Sequence, residues 1–257
     1  MHIFIFQSTL RMEIIKNNIA AILVSIAIVV GLGFLARAYV NRGKVTDAVS
    51  VTGMGSEDFT SDLIVWRASF SNKSMDLKEA SAGLKADRER ISKYFASKGI
   101  NAKEVIFQAV DIRKDFTYEY DNYGGQRSSY FNGYVLDQQL KIESNDVDKV
   151  EELSRSASEL INMGIELVSF SPEYYYTKLA ALKIKMIESA TKDAKKRAMT
   201  IVKNGGSSLG DLKNADMGVF QITGQNSSED YSWGGSFNTS SKKKTASVTI
   251  RLKYDID

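Results

Sequence analysis

The sequence feature that most constrains the fold is a long stretch, from Lys178 to Asn204, that contains neither glycine nor proline. As an α-helix it reaches about 40 Å, at about 1.5 Å of rise per residue. Its apolar side chains share one face, opposite Lys, Glu and Asp: Leu179, Leu182, Met186, Ala190, Ala194, Ala198, Ile201 and Val202. Because alanine recurs at every fourth position in the middle of this face, the backbone can approach its partner closely, and we expect a β-sheet there. Gly205 and Gly206 predict the end of the helix.

A second constraint is the apolar segment 17–36, which contains no charged residue and is about as long as a membrane span. A cleavable signal peptide has a shorter apolar core and a small-x-small site, which Ala36-Arg37-Ala38 fits poorly. A core helix that is apolar on every face is unexpected beside Arg37 and Arg42. We therefore predict an uncleaved transmembrane anchor.

This anchor divides the chain into a lead, an anchor, a linker and one folded domain. The predicted bounds are 1–16, 17–38, 39–47 and 48–257. Met12 is an alternative start, in which case residues 1–11 are not translated.

Composition excludes several classes of active site. The chain has no cysteine, which rules out disulfides, thiolate zinc sites and cysteine nucleophiles. Its single histidine, His2, precedes the anchor, so one folded domain cannot build a Ser-His-Asp triad or a histidine metal cluster. The basic excess lies beside the anchor, which argues against a nucleic-acid-binding domain. We expect no enzyme, no cofactor and no nucleic-acid partner.

The rest of the chain predicts the element order β-β-α-β-β-α-β-α-β-β. The predicted strands are 48–52, 62–71, 104–118, 130–143, 166–170, 212–223 and 245–256. Besides the long helix, helices are predicted over 75–98, capped by Ser74, and over 147–163. Strand–helix–strand–strand occurs twice, at 62–143 and 166–256. We therefore predict an α+β fold of duplicated βαββ-like units, with helices packed on a mainly antiparallel sheet.

Gly53-Met54-Gly55 follows the first predicted strand. A third glycine and a directly following helix are both missing, so this is a weak dinucleotide-binding signal. We interpret it as a turn or bulge.

The best candidate contact residues are aromatic side chains in two hairpin loops, among Gly and Ser: Tyr118, Tyr120 and Tyr123 in the first, and Tyr231, Trp233 and Phe237 in the second. Such residues are typical of protein contacts. The alternative is that both loops are mobile tips rich in turn formers. Because the loops join equivalent strands of the two units, we expect them to share one end of the domain.

Charged clusters give weaker signals. Asp111, Asp115, Glu119 and Asp121 do not have the spacing of an EF-hand, so no metal site is predicted. Lys195-Lys196-Arg197 and Lys242–Lys244 have a chemistry that suits phosphate or anionic lipid. The favoured interpretation is a solvated helix face for the first and a charged guard beside a strand for the second.

Several short motifs together resemble the SIMPL domain family over about residues 48–256. They are Val51-Thr52-Gly53-Met54-Gly55, Tyr134–Leu140 with Asp146–Val150, and Asp193-Ala194 with Ala198, Gly206 and Leu209-Gly210. The family includes periplasmic proteins of oxidative-stress defence and an immunogenic periplasmic protein. The resemblance implies an α+β fold, a periplasmic setting and, in one relative, assembly into a large ring or channel-like oligomer. It implies no catalytic residue.

The sequence therefore predicts a membrane-anchored envelope protein of the SIMPL type, non-enzymatic and acting through protein contacts or homo-oligomer assembly in envelope or oxidative-stress protection. It is expected to span the bacterial inner membrane once, with a cytoplasmic lead and a periplasmic C-terminal domain. The alternative is a small-ligand or metal-binding module tethered to the membrane, with its pocket between the two hairpin loops.

Overall fold

The computed structural model describes residues 2–42, 47–120 and 125–257. Its helices are α1 (His2–Arg42), α2 (Leu77–Ser97), α3 (Val147–Ser156), which continues as a 3₁₀ segment (Ala157–Met163), and α4 (Leu179–Asn204). Its strands are β1 (Ala48–Thr60), β2 (Leu63–Ser74), β3 (Val105–Tyr120), β4 (Gln126–Ser144), β5 (Leu167–Ser169), β6 (Glu173–Tyr175), β7 (Leu209–Met217), β8 (Gln221–Gly224), β9 (Ser236–Phe237) and β10 (Lys243–Ile256).

These strands form two sheets, each with helices on one face. The first sheet has the order β3-β4-β2-β5, with β6 also paired to β2, and it carries α2 and α3. The second has the order β1-β10-β8-β9, with β7 also paired to β10, and it carries α4. All pairs are antiparallel except β8 with β9. The predicted α+β architecture is confirmed.

The two sheets repeat one arrangement, although the second repeat is not contiguous in the chain. In the first, β2-α2-β3-β4 gives the spatial order β3-β4-β2; in the second, α4-β7-β10 joins β1 in the order β7-β10-β1. The prediction that the second unit begins at 166–170 is wrong, because Leu167–Ser169 pairs with β2 in the first sheet. β1 takes that place instead and pairs with β10 along its whole length.

The first core forms where β2 meets α2 and α3. Ile64, Trp66, Ala68 and Phe70 point into it, as the alternation of β2 predicts. The cap of α2 differs from the prediction. The Asp76 carboxylate, rather than Ser74, accepts hydrogen bonds from the first backbone N–H groups of the helix.

The second core depends on close contact between α4 and β1. The strand continues straight through Gly53-Met54-Gly55, so the predicted turn or bulge is wrong. A Cβ atom on Gly53 would lie 2.3 Å from Ala190 O and from Ala194 N, and one on Gly55 would lie 2.3 Å from Met186 O. The glycines face the alanine side of the helix and allow the two backbones to touch. The predicted sheet beneath that face is confirmed, although Ile201 is exposed rather than buried.

The sheets meet where β1 passes into β2 through Ser61 and Asp62. Lys242 pairs with Asp148 and Glu151 of α3. Lys244 is buried, and its ammonium donates to Tyr174 O at 2.5 Å. The interpretation of Lys242–Lys244 as a charged guard is therefore wrong for these two lysines, which join the second sheet to the first.

The N-terminal segment is one continuous helix. Within α1, Ala21–Val40 has a mean hydropathy of 2.3 and no buried residue, and by length and composition it is a candidate membrane span. This window lies four residues beyond the predicted apolar segment 17–36. The helix also continues to Arg42, into the predicted linker 39–47, and residues 43–46 of that linker lie outside the described residues.

Candidate functional site: exposed aromatic surfaces on two sheets

The longest hairpin of the protein extends well past its neighbouring strand. β2 ends at Ser74, which pairs with Tyr134 of β4, while β3 and β4 stay paired as far as Tyr120 and Gln126. We call Phe116–Tyr120 with Gln126–Asn132 the distal hairpin. Gly133 lies at its root with φ +118°, and a Cβ there would lie 2.8 Å from Ser74 O. Glycine therefore lets the hairpin bend past the end of β2.

Aromatic side chains occupy one face of the distal hairpin. Phe116, Tyr118 and Tyr120 alternate along β3 and so share this face. Phe131 pairs with Phe116 across the strands, with ring centroids 5.7 Å apart, and its ring lies 5.2 Å from that of Tyr134. No described residue of the distal hairpin is buried. The predicted contact residues Tyr118 and Tyr120 are therefore exposed, while Tyr123 lies outside the described residues.

An ion pair holds the root of the distal hairpin. The Asp115 carboxylate lies 2.7 Å from the Lys73 ammonium and accepts a hydrogen bond from Asn132 at 3.0 Å. The Lys73 ammonium, and next the Asn132 amide, lower the pKa of Asp115. Asp115 thus positions the hairpin. Asp121, another member of the acidic cluster noted in the sequence, lies outside the described residues.

β3 is also an edge strand. In the described part of the chain it pairs with β4 alone, so its outer backbone groups face away from the sheet. Ile106, Val110 and Ile112 on this strand are exposed. A long edge strand with exposed apolar side chains and no proline is a template for pairing with another chain.

The second predicted loop is folded onto the outer face of the second sheet. The buried Gln221 carboxamide oxygen accepts from Ser236 N at 2.9 Å, and its nitrogen donates to Ser232 O at 2.7 Å. Ser247 donates to the Tyr231 hydroxyl at 3.3 Å. These bonds hold Tyr231 near the sheet, while Trp233 is 101% exposed.

Beside this loop lies a cleft of about 470 Å³. Met54 of β1 and Met217 at the end of β7 line it together with Val219, Tyr231 and Trp233. Its volume is within the range of small-molecule sites, and its lining is mainly apolar. Phe237, the third predicted residue of this loop, does not line it; its ring lies 6.4 Å from that of Tyr175 instead.

The two aromatic surfaces do not share one end of the domain, so that prediction is wrong. The distal hairpin lies beyond the Ser74 end of β2, whereas Phe237 contacts Tyr175, which pairs with Leu63 at the other end. The length of β2, about 36 Å, separates these ends. The reason is topological: β1 and β2 join end to end, so the sheets meet at the start of β2. The predicted pocket between the two loops is consequently not formed by the described residues.

Residues 2–42, 47–120 and 125–257 contain no group of three His, Cys, Asp or Glu side chains arranged to hold a metal ion. At the sheet junction, burial lowers the pKa of Lys244 from 10.5 to about 8. Lys244 contacts Tyr174 O and lies 5.8 Å from the Phe237 ring centroid, so it belongs to the packing between the sheets.

Comparison with protein families gives a match over most of the chain. A family model described as SIMPL, a protein of unknown function (DUF541), matches residues 49–254. This range begins in β1 and ends in β10, so it includes both sheets and α2, α3 and α4. A search of curated proteins found no match.

Proposed function

Because the chain belongs to the SIMPL family, we propose that it is a membrane-anchored envelope protein that acts through protein contacts and not as an enzyme. The observation that carries this proposal is the distal hairpin, with its uncovered aromatic face, on a sheet whose edge strand β3 pairs only with β4 among the described residues. The role in envelope or oxidative-stress protection follows from the family resemblance.

In this proposal α1 remains uncleaved and crosses the inner membrane once, with the C-terminal domain in the periplasm. Support comes from the long apolar window of α1, which packs on nothing in the described structure. The anchor is tested by extracting membranes with alkaline carbonate and measuring the mass of the mature chain. Retention in the membrane at full mass supports the proposal. Release into the supernatant, or loss of the N-terminal segment, contradicts it.

The contact we propose is with a second copy of the chain. Two β3 edges that pair antiparallel form a self-complementary interface, as a two-fold symmetric contact requires. When the two-fold axis passes near Phe116–Tyr120, such pairing brings the two aromatic faces of the distal hairpins side by side. The exposed Phe116, Tyr118 and Phe131 would then lose contact with water.

A cross-linking experiment tests this contact. Because the chain has no cysteine, an introduced cysteine is the single site of reaction. Thr117→Cys, at an exposed position that keeps the aromatic rings, is treated with a bifunctional maleimide in the full chain, in its membrane. Trp233→Cys is the matched control, since it places an exposed thiol on the other sheet. We expect cross-linked dimers for Thr117→Cys and far fewer for Trp233→Cys. Equal yields, or none for either, would argue against pairing through the distal hairpin.

A second candidate function is a tethered module that binds a small apolar molecule. The observation in its favour is the cleft between Met54, Met217 and Tyr231. Binding there would stabilise the native state by mass action and raise the melting temperature. A screen of apolar and aromatic small molecules, repeated with Tyr231→Ala, separates binding in the cleft from binding elsewhere. An unchanged melting temperature throughout removes this candidate.

A further inference from the structure

A basic groove of about 630 Å³ runs along the C-terminal half of α4. We define it by Lys192, Lys195, Lys196, Met199, Lys203 and Ser208, all of them exposed. Lys192 pairs with Glu188 at 2.7 Å. Lys195, Lys196 and Lys203 form no ion pair with any carboxylate in the described part of the chain. The groove therefore presents three ammonium groups on one side of a helix, none of them ion-paired within the described residues.

The acidic residue nearest along the helix does not neutralise this groove. The Asp193 carboxylate accepts from Met54 N at 3.0 Å and pairs with Arg197 at 2.9 Å. Both contacts, the Met54 N–H first, lower the pKa of Asp193, and the nearby Lys196 charge lowers it to a smaller extent. Asp193 is thus bonded directly to β1 and to Arg197 and not to a lysine of the groove, so the lysine ammonium groups can still bind an external anion.

The groove also lies close to the point where the domain leaves the membrane anchor. Asp47 O accepts a hydrogen bond from Ile256 N at 2.9 Å, and Asp257 exchanges two backbone hydrogen bonds with Ser208 at 2.9 and 3.0 Å. Asp47 and Ser208 thus lie on opposite sides of the end of β10. Two strand spacings separate them, which is about 10 Å. The chain between Arg42, the last residue of α1, and Asp47 spans at most about 18 Å. The groove is therefore held near the membrane surface by the chain itself.

We propose that the basic groove docks on the surface of the membrane that α1 spans, by binding the phosphate groups of anionic phospholipids. This inference rests on the proposed anchoring of α1. Ammonium groups on short tethers near a bilayer are attracted to anionic headgroups, with each lysine strengthening the interaction about fivefold. Met199, which lines the groove, is exposed and supplies an apolar side chain for the headgroup boundary.

Docking through this groove would also orient the rest of the molecule. β1 begins beside the groove and runs about 40 Å before the chain enters the first sheet at β2. With the end of α4 held on the bilayer, the second sheet lies nearest the membrane. The first sheet and the distal hairpin are then displayed away from it, where they are accessible to another copy.

The test uses the full chain with Met199→Cys, which places a single environment-sensitive fluorophore in the groove. The protein is reconstituted in nanodiscs of phosphatidylcholine with or without phosphatidylglycerol, and quenching by brominated lipid is measured. We expect quenching to be at least twofold stronger with phosphatidylglycerol. This difference should disappear near 1 M salt, where the Debye length is about 3 Å.

Variants that remove the lysine charges test whether the groove causes the stronger quenching with phosphatidylglycerol. Lys195→Gln, Lys196→Gln and Lys203→Gln together should abolish the effect of phosphatidylglycerol. The matched control replaces Lys78, Lys85 and Lys93, exposed lysines of α2 on the other sheet, with Gln and should leave the effect unchanged. If both triple variants behave alike, or if the original chain is quenched equally in both lipids, the proposal is overturned.

The same samples separate this proposal from the anchoring on which it rests. A chain that elutes without lipid during gel filtration of the nanodiscs contradicts anchoring by α1, and docking with it. A chain that stays in the nanodisc but shows no dependence on phosphatidylglycerol contradicts docking alone. Addition of inorganic phosphate should not reproduce the lipid effect, because one small anion does not bring the fluorophore to a bilayer.

Discussion

Gly53 determines how closely α4 approaches the second sheet. Its backbone lies against Ala190 and Ala194, two of the alanines that recur along the helix. Any side chain at position 53 meets backbone atoms, which cannot move aside as the end of a flexible side chain can. The glycine on the strand and the alanines on the helix together allow the two backbones to be in contact.

Gly53→Ala should therefore destabilise the protein. A Cβ atom 2.3 Å from Ala190 O and Ala194 N forces α4 away from β1 and loosens the second core. Overpacking of this kind costs about 1–3 kcal/mol of unfolding free energy. Urea denaturation measures the change. Gly234→Ala is the control, because nothing lies within 4 Å of the added atom; an equal loss in both variants would argue against the close contact.

Lys244 gives a prediction about pH. Burial lowers its pKa from 10.5 to about 8, so between these values the unfolded chain binds more protons than the folded one. The native state gains stability relative to the unfolded state as pH rises through this range. The gain is at most about 3 kcal/mol.

The measurement is the unfolding free energy of the original chain minus that of Lys244→Met, at several pH values. This difference should increase between about pH 8 and pH 10, because only the original chain carries the buried ammonium. Lys243→Met, at an exposed position, should show no such trend. A flat difference for Lys244→Met would mean that the ammonium is solvated in the native state.

At the scale of elements, the periodic spacing of apolar residues predicts helices and strands correctly. Helix α4 and the buried face of β2 are both visible as spacing, because one face of each meets a single core. The interpretation of the β1 glycines as a turn or bulge is wrong, because they allow contact with a helix more than a hundred residues away in the chain. No local signal reports such a distant partner.

The candidate site was predicted less well than the elements. The aromatic residues of both hairpin loops that the structure describes are exposed, as the sequence predicts. The relative position of the two loops, however, depends on which strand completes the second unit. That strand is β1 and not 166–170. The basic groove was visible only as Lys195-Lys196-Arg197; its proximity to the anchor depends on the contacts of Asp47 and Ser208 with the end of β10 and Asp257.

The distal hairpin should contribute to assembly and little to folding. Phe116→Ser combined with Tyr118→Ser removes aromatic rings that no core covers, so the unfolding free energy should change by less than about 0.5 kcal/mol per site. When the same two substitutions are combined with Thr117→Cys, the maleimide should no longer give cross-linked dimers. Tyr231→Ser with Phe237→Ser, on the other sheet, serves as the control and should retain them. Loss of folding in the hairpin variant would contradict a peripheral role.

At the scale of the whole molecule, the two sheets have different surroundings. The second sheet contains β1, the first strand after α1 in the chain, whereas the first sheet carries the distal hairpin and the edge strand β3, which pairs only with β4 in the described residues. The Lys242 ion pairs with α3 and the Lys244 contact with Tyr174 join the sheets between these two regions. We infer a division between a membrane-proximal half and a half that meets other proteins.

The most direct test of assembly is the mass of the full chain in solution. The protein is extracted in a mild detergent and measured by light scattering after size exclusion, over a wide range of concentrations. The account predicts a dimer or larger species whose mass falls to that of one chain in the Phe116→Ser, Tyr118→Ser variant. A strictly monomeric original chain at every concentration would contradict assembly through the distal hairpin.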